Sequence, residues 1–221
     1  TATPIPRTLA MSAYADLDVS VIDQLPPGRT PVQTSAMANG RRDEVIARIA
    51  GLCGQGHQVY WVCTLIDESE EIQAQSAQAA FELISQNLPA CTVALLHGRV
   101  PPAEKTRIMQ AFKANQVQVL VATTVIEVGV DVPNASVMVM ENAERLGLAQ
   151  LHQLRGRVGR GSVASHCLLL YRTPLSAMAR ERIEVMRQTD NGFIIAEKDL
   201  ELRGPGELLG TKQTGDIGYR I

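Results

Sequence analysis

Short, uninterrupted apolar runs separated by segments of helical period constrain this chain more than any other feature. Val59–Leu65 (VYWVCTL), Thr92–Leu96 (TVALL), Gln118–Ala122 (QVLVA), Ser136–Met140 (SVMVM) and His166–Tyr171 (HCLLLY) are strand-length and lack regular polar alternation. A strand with one wet face alternates, whereas a near-continuous apolar strand is covered on both faces. The intervening segments supply the covers. Val45, Ile46, Ile49 and Leu52 share one helical face. Ser69–Leu88 is rich in Ala, Gln and Glu and stops at Pro89, and Pro101–Ala114 turns Ile108, Met109 and Phe112 inward. Gly147–Arg155 is helix-like, and Leu175, Met178, Ala179, Ile183 and Met186 mark a further amphipathic helix. Strands alternating with such helices predict βαβ units, hence an α/β fold with a parallel sheet and helices on both faces.

The ends differ from this middle. Residues 1–30 hold Pro4, Pro6, Pro26 and Pro27, a strand-like Val19–Ile22 and a PPGR connector at 26–29. They read as the end of a preceding domain plus a linker. Residues 31–174 form the sheet domain. Beyond Gly192 the segment Phe193–Leu202 predicts a second helix, and Arg203–Gly215 is glycine-rich and irregular. Residues 175–221 thus read as a helical hairpin followed by an irregular loop.

Of the 221 residues 45% are hydrophobic, enough for one sizeable core and an appendage. The net charge of −2 excludes a globally basic nucleic-acid binder. Any such contact relies on local clusters such as Arg155, Arg157 and Arg160. Cys53, Cys63, Cys91 and Cys167 form no CxxC pair and read as reduced thiols of a cytoplasmic protein. His57, His97, His152 and His166 share no metal-ligand spacing, so no metal site is expected among these residues. No apolar run approaches the ~20 residues of a membrane span, and no signal peptide is expected.

Three stretches carry chemistry. Gln153–Gly161 (QLRGRVGRG) sets three arginines within six residues, spaced by glycines. Guanidinium forks bind phosphate oxygens bidentately and keep their charge, and Gly156 and Gly159 permit tight turns and close approach of a ligand. Val121–Pro133 (VATTVIEVGVDVP) runs from a strand end through Thr123 and Thr124 to Glu127, Gly129 and Asp131, and ligands of open α/β sheets gather at carboxyl strand ends. The paired carboxylates Glu127 and Asp131 could suggest acid–base work, but nothing else in the motif supports it. Leu96–Arg99 (LHGR) follows a strand and precedes a helix, whose first amides can hold a phosphate.

The pattern QxxGRxGR resembles the sixth motif of superfamily-2 helicases, VATTVIEVGVDVP resembles the fifth, and Thr1-Ala-Thr3 resembles the third. The resemblance implies a RecA-like second motor lobe. Its Arg157 and Arg160 would reach the γ-phosphate of ATP held with Mg²⁺ mainly by a first lobe, Arg160 as the finger and Gln153 positioning them. Asp131, Gly129 and Glu127 would lie at the nucleotide, and Thr123, Thr124, His97, Gly98 and Arg99 along the DNA. The tail FIIAEKDLELRGPGELLGTKQTG, from Phe193 to Gly215, is similar to the translocation motif shared by the RecG family and the transcription–repair coupling factors. Gly204-Pro-Gly-Glu207 and DVSVIDQLPPG at 18–28 favour RecG. This resemblance spans essentially the whole chain.

It implies the carboxy-terminal motor portion of an ATP-dependent translocase that remodels stalled forks and Holliday junctions, with repair and recombination as its setting. Thr1, Thr3, Arg203, Gly204, Gly206 and Glu207 would couple ATP to movement. The partners implied are branched or duplex DNA and the amino-terminal RecA-like lobe and wedge domain of the same protein, in a bacterial cytoplasm and away from membranes. No GxxxxGK[ST] loop or acidic magnesium box is present, so a chain opening inside a motif at Thr1 reads as a fragment without its own ATPase. Two other readings are a coupling-factor motor that pushes RNA polymerase and a RecA-like interaction module that does not hydrolyse ATP.

Overall fold

The computed structural model describes residues 31–64, 70–123, 132–161 and 163–203. Its strands are β1 (Gln33–Ala38), β2 (Gln58–Cys63), β3 (Val93–Leu96), β4 (Val119–Thr123), β5 (Ala135–Glu141) and β6 (His166–Tyr171). The helices are α1 (Arg42–Gly54), α2 (Glu70–Asn87), α3 (Pro102–Lys113), α4 (Leu148–Arg155), α5 (Ala177–Gln188) and α6 (Gly192–Arg203). All strand pairs are parallel, in the order β1-β6-β5-β2-β4-β3. The side chains of Glu70 and Arg203, and the expected strand at Val19–Ile22, lie outside the described residues.

The period of two in β2 explains its unbroken apolar run. Val59, Trp61 and Cys63 face the cluster under α1 and α2, while Tyr60 and Val62 face the cluster under α3 to α6. Tyr60 meets Phe112 of α3 with ring centroids 4.9 Å apart and planes tilted by 60°, a favourable aromatic geometry. Gln58 is fully buried, and its amide donates to the carbonyls of Phe112 and Val117, both at 2.6 Å. One polar side chain thereby satisfies an acceptor in the last turn of α3 and another in the chain just beyond it. Asn115, at φ 58°, turns the chain out of that helix.

β1 departs from the sequence expectation, which placed no strand between residues 31 and the first helix. QTSAMA has no apolar run because β1 is an edge strand, exposed or half-buried throughout. Pairing along Gln33–Ala38 with His166–Tyr171 makes it a strand. The faces of the last two helices are also narrower than expected. Ala179, Ile183, Met186 and Ile195 are buried, but Met178, Phe193 and Ile194 are exposed. The Ser176 hydroxyl accepts from the Ala179 amide and starts α5, a cap worth about 1 kcal/mol.

A parallel sheet has two chemically different ends. Each helix that follows a strand returns the chain from the carboxyl edge to the amino edge. The carboxyl edge holds Thr64, Leu96, Thr123 and Glu141. The amino edge receives the ends of α4 and α5 and the turn at 132–134.

Candidate phosphate-facing and DNA-facing surfaces

QLRGRVGRG runs off the end of α4 at the amino edge. Val158 is buried, and Arg157 and Arg160, on either side of it, are half-buried. An apolar anchor between two cations pins the loop and leaves the guanidinium groups at its surface. Arg160 Nε donates to the Gly156 carbonyl at 3.3 Å. The Arg157 side chain makes no hydrogen bond or ion pair among the described residues, while its amide donates to the Leu154 carbonyl. Gln153 is exposed on α4. Such a loop suits an anion with several oxygens, so ATP phosphates fit the donors present.

The glycines divide differently from the sequence expectation. Gly159 has φ 76° and needs glycine. Gly156 has φ −67°, and an added Cβ there would meet backbone oxygens only at 3.5 Å. Gly161 is the close-approach position: a Cβ would lie 2.6 Å from the Pro133 carbonyl oxygen. No local pattern marks it, since its neighbour lies 28 residues upstream. Gly161→Ala is expected to lower the stability of the chain by about 1–3 kcal/mol, as overpacking against backbone does. Gly156→Ala should be nearly neutral. Equal thermal unfolding midpoints for the two variants would refute the contact.

Arg155 is a correction. The sequence grouped it with the phosphate-facing arginines, but it is buried to 3% exposure. Its Nη1 donates to Thr34 Oγ1 at 3.2 Å, to the Met186 carbonyl at 2.8 Å and to the Thr189 carbonyl at 2.9 Å. Its Nη2 lies 3.1 Å from His152 Nδ1. Helical period explains this: Leu151, Leu154 and Arg155 fall on the buried face of α4, while Gln153 falls opposite.

The carboxyl edge presents a separate basic surface. Lys105 Nζ donates to the Gly98 carbonyl at 2.7 Å, which brings Arg99, Lys105 and His97 together between β3 and α3. Burial pushes the His97 pKa down, and the Lys105 and Arg99 charges add to that. His97 is therefore neutral near pH 7. Thr123 ends β4 with 2% exposure, and its hydroxyl lacks a partner among the described residues. Thr124, Glu127, Gly129, Asp131, Thr1, Thr3, Gly204, Gly206 and Glu207 lie outside the described residues, as does the side chain of Arg203.

One carboxyl-edge cluster escaped the sequence reading. Glu141, at the tip of β5, pairs with Arg42 at 2.6 Å and accepts from the Cys63 thiol at 3.8 Å. Arg42 stacks 5.5 Å from the centre of the Trp61 ring. The Thr64 hydroxyl donates to the carbonyls of Glu141 and Asn142, and Asn142 Nδ2 donates back to the Thr64 carbonyl at 3.4 Å. These bonds tie the tips of β2 and β5 together. Among the described residues no group of three or more His, Cys, Asp or Glu could hold a metal, and no helix is long and apolar enough to cross a membrane.

Residues 41–162 match the family described as Helicase conserved C-terminal domain. Over its whole length the chain is 64% identical to the ATP-dependent DNA helicase RecG of Escherichia coli K12, of which it covers 32%. It is 47% identical to the protein of the same name from Bacillus subtilis 168, again over its whole length and 32% of that relative. Among solved structures, RecG bound to a three-way DNA junction superposes with a TM-score of 0.76 at 46% identity, over 93% of this chain and 27% of that one. The α/β fold is thus RecA-like, as the motifs implied. The chain spans about a third of the length of these relatives.

Proposed function

Because the chain belongs to the helicase conserved C-terminal domain family, we propose that it is the second motor lobe of an ATP-dependent translocase that remodels branched DNA. The observation that carries this reading is the arginine loop itself, two half-buried guanidinium groups flanking the buried Val158. It is supported by whole-length similarity to helicases named RecG, one of them solved on a three-way junction. Residues 31–174 act as the lobe, 1–30 as the link from a first lobe, and 175–221 as the coupling element, with Arg203 among its working residues.

In this reading the first lobe binds ATP and Mg²⁺, whose chemistry is transfer of the γ-phosphoryl group to water. Arg157 and Arg160 present fixed positive charge where negative charge grows in the transition state, which is the largest service a protein gives this reaction. Gln153, one helical turn before Arg157, orients the approach. Asp131, Gly129 and Glu127 are assigned to the nucleotide by their motif. His97, Gly98 and Arg99 sit at the opposite, carboxyl edge, where they meet DNA phosphates, and Thr123 and Thr124 are assigned to the same track by their motif alone, the Thr123 hydroxyl being buried in the lobe itself. The substrate places the work in the bacterial cytoplasm.

The decisive experiment is DNA-stimulated ATP hydrolysis and fork remodelling by the full-length protein. Hydrolysis without remodelling of forks or junctions would favour a coupling-factor motor. No hydrolysis at all would favour an interaction module. The chain alone should not turn over ATP, because its sequence holds no GxxxxGK[ST] loop. With a net charge of −2 its own DNA binding should be weak and fall steeply with salt. Submicromolar binding indifferent to salt would count against the DNA-facing assignment.

A further inference from the structure

Resting on the motor reading above, we propose that Arg155 is a positioning residue that fixes the Arg157–Arg160 loop by fastening it to the far end of α5. Three segments distant in sequence meet at one nitrogen. Nη1 of Arg155 is bonded to Thr34 of β1 and to the carbonyls of Met186 and Thr189 at the end of α5. Those carbonyls are acceptors that a helix leaves without partners in its last turn, and a cation there also meets the negative end of the helix dipole.

Location distinguishes this bond set from an ordinary staple. Arg155 ends α4, and the very next residues are Gly156 and Arg157. The loop is therefore anchored at its root by a charged clamp and at its middle by buried Val158. At its far end, Gly161 lies against Pro133. Packing alone needs no cation here: a buried guanidinium loses hydration, and a methionine would fill similar space. What the cation supplies is direction, because one nitrogen facing three fixed acceptors accepts only one placement of α4 relative to β1 and α5. A crevice lined by Pro31, Gln33, Thr34, Arg155, Gln188 and Asp190 opens beside it. Burial lowers the Arg155 pKa, and the nearby Cys167 and Asp190 oppose that shift without cancelling it.

A loop whose arginines must meet a transition state to within fractions of an ångström is sensitive to its root. A misplacement of about 1 Å can cost about a hundredfold in rate. In the full-length enzyme Arg155→Met is expected to lower the kcat of DNA-stimulated ATP hydrolysis at least about tenfold, with the KM for ATP and DNA affinity within about threefold of wild type. Because all three acceptors converge on one nitrogen, a lysine ammonium with three donors can replace it, and Arg155→Lys should recover kcat to within about threefold.

The wild-type protein supplies a second readout, amide exchange at residues 186–190. These amides are expected to slow when a non-hydrolysable ATP analogue binds, together with those at 157–160. A wild type without DNA-stimulated hydrolysis would overturn the proposed function and this inference with it. A working wild type with an R155M variant of normal kcat, or an R155K variant as slow as R155M, overturns the inference alone. Where R155M fails to fold, the exchange measurement decides: protection at 157–160 with none at 186–190 refutes the clamp.

Discussion

Arg160→Ala in the full-length protein should lower DNA-stimulated ATP hydrolysis by about a thousandfold or more while leaving DNA affinity within about threefold. The first figure is the lower end of what an arginine finger contributes to phosphoryl transfer. The second follows from geometry. Arg160 lies just past the end of α4 at the amino edge of the sheet, whereas the basic pair of Arg99 and Lys105 sits with His97 between β3 and α3 at the carboxyl edge. Removing a cation from one edge leaves the phosphate contacts proposed for the other in place. Fold stability should change little, since Arg160 is half-buried and Val158 holds the loop. Steady-state hydrolysis with saturating duplex DNA, and fluorescence anisotropy at fixed salt, measure the two quantities. A variant that loses DNA affinity and keeps its turnover would reverse the assignment of the two edges. Arg157→Ala should act in the same direction, less severely.

What the sequence revealed and what it hid follow from how far each signal reaches along the chain. Strands β2, β4 and β5 are fully buried on both faces, so their runs are mostly apolar, and a local window suffices to find them. β1 is defined by a partner more than a hundred residues away, and its composition carries no trace of that pairing. The loop of Arg157 and Arg160 was legible because its glycine spacing is local. Arg155 was misread for the same reason. Nearness in sequence to two surface arginines says nothing about a side chain that faces Thr34 and Met186. Gly161 and Glu141 were invisible because what constrains them, the Pro133 carbonyl and the Arg42 guanidinium, comes from elsewhere in the chain.

The Arg42–Glu141 pair leads to the second large effect, on stability. Glu141 keeps 10% of its side chain exposed and Arg42 24%, so the pair is largely withdrawn from water. Burial raises the Glu141 pKa above the ordinary carboxylate range, and the Arg42 charge opposes that shift without cancelling it. An acid whose folded pKa is raised favours folding below its unfolded pKa, and that contribution is lost as pH rises through the folded value. Arg42→Met removes the opposing charge but keeps an apolar stem over Trp61. The uncompensated carboxylate should then cost about 3–5 kcal/mol at about pH 8. At about pH 5 the loss should be smaller, because Glu141 takes up a proton and is no longer a buried charge. The double variant Arg42→Met with Glu141→Gln should recover most of the stability at high pH, since a neutral amide can still accept from Cys63. Chemical denaturation at both pH values checks this. A loss independent of pH, or a double variant no better than Arg42→Met alone, would mean that Arg42 matters only for its packing on Trp61. A pH-dependent loss repaired by removing the acid would show that the charge pair holds the tip of β5 beside β2. That is where the Thr64 hydroxyl bonds the Glu141 and Asn142 carbonyls at the edge assigned to DNA.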